Sequence, residues 1–225
     1  MKKLLLSTAI FVLCAASAAK ADTLTTYTPT PVDLNDLDHH MVYTWKIDAN
    51  ALKGQQITSA KITFTNIANW NSADNKLFMH LLDNARFSGV ASFTDDPNSG
   101  NTNVAMIDDF VDPRYHGNAN WLVANGTGDT FLNTYVNLPT TPQTLVYNFT
   151  AAQLTALFNY ISNDGIFALG FDPDCHFFND GIKFQIYTKP PANVPEPATL
   201  ALLGTGLAGL YARRRRQQQR EASQA

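Results

Sequence analysis

The sequence predicts an all-β domain, an antiparallel β-sandwich carrying one short helix near residues 151–161. Three observations predict it. Apolar and polar residues alternate with a period of two in six separate runs between residues 41 and 187, the spacing that puts one face of a strand into a core. Those runs are rich in Thr, Ile and aromatic residues and are cut by Asn/Asp/Gly clusters, as strands joined by turns are. A single segment of the same stretch, residues 150–165, carries a helical period instead.

Taken in chain order, the first segment is an address. Met1-Lys2-Lys3 is followed by a run of apolar or small residues to position 18, then Ala19-Lys20-Ala21 and Asp22. A positive start, an apolar middle and a small-residue cleavage site read as a secretory signal peptide over residues 1–21. That reading implies export through the general secretion machinery and cleavage by signal peptidase. Cys14 lies inside this segment behind Leu13, which is too large for a lipoprotein signal, so it is discarded with the signal.

The domain proper is expected over residues 22–188. Tyr43, Trp45 and Ile47 alternate in the first run, Ala60, Ile62 and Phe64 in the second, and Leu77, Met79 and Leu81 in the third. Leu145, Tyr147 and Phe149 follow, then Phe167, Leu169 and Phe171 against Ile166, Ala168 and Gly170, then Ile182, Phe184 and Ile186. The helix is announced by Thr150-Ala151-Ala152-Gln153, a capping box. Leu154, Leu157, Phe158 and Ile161 form its apolar face, and Asn163-Asp164-Gly165 ends it.

The charge of this body excludes one class of function. Residues 22–193 hold eight Lys/Arg against seventeen Asp and no Glu, a net charge of −9 that the whole-chain value of −3 conceals. Such a surface repels nucleic acid and anionic lipid, so no nucleic-acid partner is expected. It suits divalent cations such as calcium.

Residues 189–194, including Pro190-Pro191, read as an extended linker. Pro195-Glu196-Pro197 follows, then an apolar stretch over 198–212 with Gly204, Gly206 and Gly209, then Arg213 to Arg216. As a helix that stretch spans roughly 22 Å against about 30 Å of hydrocarbon, short for a permanent transmembrane anchor. Thinning of the bilayer and snorkelling Arg side chains would let it cross, with the Arg cluster on the cytoplasmic side. A plain tail anchor is the alternative reading. The tripeptide, the Gly-rich apolar helix and the Arg cluster together resemble a PEP-CTERM sorting signal, here over residues 195–220. The resemblance implies a Gram-negative bacterium that makes exopolysaccharide. It also implies an exosortase that recognises Pro195, Glu196 and Pro197, releasing the protein from an inner-membrane intermediate to the cell surface or extracellular matrix.

A sandwich of this size with a short helix before its last strands resembles the jelly-roll domains of secreted carbohydrate-binding modules. A segment similar to residues 170–181 is associated with PEP-CTERM proteins. Within it Asp172, Asp174, Asn179 and Asp180 supply four oxygen-bearing side chains in nine residues. Calcium coordination is one reading of that loop; Asx turns in a tight hairpin are the other. The spacing lacks the Gly and Glu of an EF-hand. The acidic loop 95–100 is a weaker instance of the same choice.

Trp70 and Trp121 lie in Asn-rich loops and are candidates for stacking on sugar rings, while Trp45, mid-strand, is expected in the core. Packing beneath a loop is the other reading of the pair. Cys175 is the only Cys left after signal cleavage, so a zinc site cannot rest on thiolates, and His39, His40, His80 and His116 follow no ligand spacing. A buried thiol beside a hydrogen-bonding His176 is the plain reading; an intermolecular disulfide is the other. Sequence motifs for nucleophilic, metalloprotease or nucleotide chemistry are absent. The expected role is that of a non-enzymatic surface or matrix protein associated with exopolysaccharide. The alternatives are a glycan-binding module using its loop Trp residues, and a polysaccharide-degrading enzyme using a pair of Asp.

Overall fold

A computed structural model describes residues 22–94, 108–111, 128–189 and 197–223. The strands are β1 (Thr23–Tyr27), β2 (Met41–Asp48), β3 (Gln56–Asn69), β4 (Lys76–Leu82), β5 (Gly89–Thr94), β6 (Asp129–Val136), β7 (Gln143–Asn148), β8 (Ile166–Pro173), β9 (Phe177–Phe178) and β10 (Gly181–Lys189). The helices are α1 (Ala151–Asp164) and α2 (Pro197–Ala222), and a 3₁₀ turn, Asn50–Leu52, joins β2 to β3. The signal-peptide segment, the 95–100 loop, His116, Trp121, Pro195 and Glu196 lie outside the described residues.

Two antiparallel sheets face each other. One has the order β1-β10-β3-β7 with β9 added beside β3; the other has the order β5-β2-β8-β4-β6. The pairings β1·β10, β2·β8, β3·β7 and β4·β6 are nested, as though one long hairpin had been rolled across two sheets. Pairing of β10 with β3 and of β8 with β4 stitches the roll together. That is the jelly-roll arrangement expected from the sequence.

The six alternating runs become β2, β3, β4, β7, β8 and β10, and their apolar sets meet between the sheets. Trp45, Ile62, Phe64, Met79, Phe167, Phe171 and Phe184 are all buried there. Strands β1, β5 and β6 were not legible in the sequence: each buries little, and their exposure does not alternate cleanly. The fourth sheet edge, β7, alternates throughout and was legible.

The helix forms as its capping box predicts. Gln153 N donates to Thr150 Oγ1 while Thr150 N donates to Gln153 Oε1. Leu157 and Ile161 are buried against the sandwich, whereas Phe158 stays exposed on a groove beside Ile57 and Leu154. Gly165 stops the helix in the left-handed region at φ 84°.

The sequence placed the C-terminal helix over 198–212. It continues through the Arg cluster to Ala222, because Arg, Gln and Ala are good helix formers. Only its first part is apolar, so among the described residues no helix is long and apolar enough to cross a membrane. The crossing read from the sequence is therefore not shown by this helix.

Candidate functional site

One end of the sandwich gathers most of the residues singled out by sequence. Its base is the turn before β2. Leu34, Asn35, Asp36 and Leu37 are consecutive left-handed residues, with φ of 56°, 57°, 59° and 36°. That conformation costs roughly 1 kcal/mol or more per non-glycine residue. It is offset by complete burial of Leu34 and Leu37, each worth about 2 kcal/mol.

The turn is laced to the β9–β10 corner. Ile182 N donates to Val32 O at 2.8 Å, Phe177 N to Leu37 O at 3.2 Å and Asn179 Nδ2 to Asp33 O at 2.9 Å. Asp38 and His39, which follow this turn, are thereby set beside His176, which precedes β9. Asp38 N donates to the Tyr43 hydroxyl at 2.9 Å.

The outer side of this corner is aromatic. Ala68 pairs with Phe178, and Trp70 N donates to His176 O at 3.0 Å, so β3 and β9 run on in register to the end of the sandwich. Trp70 is 55% exposed and Phe178 49% exposed. The His176 and Phe178 rings meet edge to face at 4.8 Å, and His39 and His40 lie against each other at 3.9 Å.

Three of the four oxygen-bearing side chains of the 172–180 loop accept hydrogen bonds from separate neighbours. Asp172 is buried in β8 and its Oδ2 accepts from Asp109 N at 2.8 Å. Asp174 N donates to Lys76 O. Asn179 Oδ1 accepts from Gly181 N at 3.0 Å, the Asx turn. Asp180 Oδ2 accepts from Asn66 Nδ2 at 2.6 Å. Among the described residues, three or more His, Cys, Asp or Glu ligand atoms come within 4.8 Å of one another at Asp38, His39 and His176, not at Asp172, Asp174 and Asp180. Cys175 is buried, and Trp45 is buried in the core.

A second polar cluster escaped the sequence reading altogether. His80, on the outer face of β4, is fully buried. Its Nδ1 lies 2.8 Å from Asp129 Oδ1 and its Nε2 lies 2.9 Å from Asp108 Oδ2. Phe110 stacks on the ring at 4.6 Å and reaches Gly170, where a Cβ would collide with it. Phe110, Val42, Leu82, Ala85 and Ala168 form a small core of their own outside the sheet.

Burial pushes the His80 imidazole toward neutrality, but hydrogen bonds and charge from Asp108 and Asp129 outweigh it and raise its pKa to about 9. With both nitrogens donating, the ring has no lone pair for base, nucleophile or metal chemistry. The cluster is an ionic rivet that fastens residues 108–111 to the sheet. The partners lie 28 and 49 residues from His80, so no local spacing could have indicated it.

The fold and this end define a jelly-roll β-sandwich that presents an aromatic and histidine corner to solvent. Beyond the sandwich, residues 193–216 match the PEP-CTERM protein-sorting motif. That motif implies an exported protein processed at the membrane, with an exosortase as the processing partner. No curated protein matches the chain.

Proposed function

We propose that this is a non-enzymatic protein of the cell surface or extracellular matrix of a Gram-negative bacterium, sorted by exosortase and associated there with exopolysaccharide. The observation that carries the proposal is the PEP-CTERM motif at residues 193–216, placed after a β-sandwich. In this reading residues 1–21 are a signal peptide, 22–188 the working domain, and Pro195-Glu196-Pro197 the recognition element. The protein extracted from the surface of its host should then lack everything beyond that tripeptide. Replacing Pro195, Glu196 and Pro197 by Ala should leave it trapped at the membrane. Intact mass decides: a mature protein that keeps Arg213 to Arg216 overturns the sorting reading and leaves a plain anchor.

Specific glycan binding is the second reading, and the exposure of Trp70 and Phe178 favours it. Flat aromatic faces supply contact area at little entropic cost. Trp70→Ala should weaken retention on the host's own polysaccharide by about tenfold, or about 1.4 kcal/mol. Unchanged retention would remove Trp70 from the interface. Asp108 and Asp129 are not a pair for the degradative-enzyme reading, since His80 lies between them and engages both.

A further inference from the structure

We propose that Asp38, His39 and His176 form a binding site for a divalent transition-metal ion of the zinc class, with its remaining coordination positions open to solvent. The first support is distance. Asp38 Oδ1 lies 3.0 Å from His39 Nδ1 and 3.6 Å from His176 Nδ1. All three ligand atoms fall within 4.8 Å of one another. A tetrahedral ion with bonds of about 2.1 Å holds its ligand atoms about 3.4 Å apart, so two of the three edges already bracket the required length. The third, His39 to His176, lies within 4.8 Å.

The second support is a ring nitrogen set against a carboxylate without a well-directed hydrogen bond between them. His39 Nδ1 is buried and has no hydrogen-bond partner, although Asp38 Oδ1 stands 3.0 Å away. The approach has the length of an ion pair but not the direction of a hydrogen bond. A ring nitrogen and a carboxylate oxygen facing each other at this separation can both be ligands to a cation placed between them.

The third support is the setting. The turn before β2 and the β9–β10 corner are held by hydrogen bonds independent of the three ligands, so the site is assembled before an ion arrives. Two imidazoles and one carboxylate select zinc, cobalt, nickel or copper over calcium and magnesium, which take oxygen ligands. Three protein ligands leave at least one position for water or an oxygen of a bound partner, next to Trp70 and Phe178. His80 offers the internal contrast, because both its nitrogens are engaged by Asp129 and Asp108.

The test uses the exported protein, stripped with chelator and titrated with Co(II) alone. One ion per chain should bind, with the absorption of a mixed nitrogen–oxygen site. His39→Ala and His176→Ala should each weaken binding by more than about 100-fold, since loss of an outer-shell partner alone costs 10–100-fold. His40→Ala, which removes a neighbour and not a ligand, should change it less than about threefold. If a ligand variant fails to fold, the native protein still decides. Bound Co(II) should broaden the ring signals of His39 and His176 and spare those of His80. Absence of saturable binding, binding unchanged in both ligand variants, or broadening centred on other histidines would each overturn the site.

Discussion

His80→Phe should abolish a pH dependence of stability that the folded protein otherwise shows between about pH 6.5 and pH 9. The ring is fully buried with its side chain at 0% exposure, while its partners Asp108 and Asp129 are only 11% and 15% exposed. Phe110 and Phe131 close over it from the segment 108–111 and from β6. In the folded state its pKa is raised from 6.5 to about 9, and unfolding returns it to the ordinary value. The folded protein therefore holds the extra proton within that window. Stability is fully present below pH 6.5 and falls as pH rises toward 9.

At 1.36 kcal/mol per unit the loss is on the order of 3 kcal/mol, or about 6–12 °C of melting temperature for a domain of this size. Urea denaturation of wild type and His80→Phe at half-unit steps from pH 6 to 9.5 measures it. Subtracting the variant removes the contribution of other groups that titrate in the window. The variant should also be less stable than wild type at pH 6, where the imidazolium would otherwise neutralise two half-sequestered carboxylates. Parallel pH curves for the two proteins, or a His80 ring that titrates near 6.5 in the native state, would refute the ionic rivet.

Two further outcomes follow from the geometry. Gly165→Ala should destabilise the domain by about 2 kcal/mol or more in thermal melts. A Cβ there would meet the left-handed penalty and also overlap Asn50, so the α1 cap and the 3₁₀ turn cannot both keep their places. Calcium and magnesium at equal ionic strength should raise the melting temperature equally, and Asp174→Asn with Asp180→Asn should leave the two shifts equal, because Asp172, Asn179 and Asp180 each turn an oxygen to a different neighbour. A calcium-specific shift lost in those variants would favour the calcium reading of the loop.

Strand alternation in β2, β3, β4, β7, β8 and β10, the capping box at Thr150 and the stop at Gly165 were legible in the sequence because each is a local rule. One face is buried every second residue, and one side chain satisfies a backbone group three residues away. The sorting motif at residues 193–216 was legible for a similar reason, since a membrane machinery reads it as linear sequence. Strands β1, β5 and β6 were not, because they bury little and their own patterns do not alternate cleanly, whereas the edge strand β7 does alternate. The two histidine clusters lay further still from sequence. Asp38 and His39 meet His176 only because the left-handed turn before β2 is laced to the β9–β10 corner. His80 meets Asp108 and Asp129 only because residues 108–111 fold back over the outer face of β4 and β8. Local chemistry determined the address, the strands and the helix ends. Which charges face one another was decided by the rolling of one sheet against the other and the return of residues 108–111, which bring residues distant in sequence within hydrogen-bonding distance.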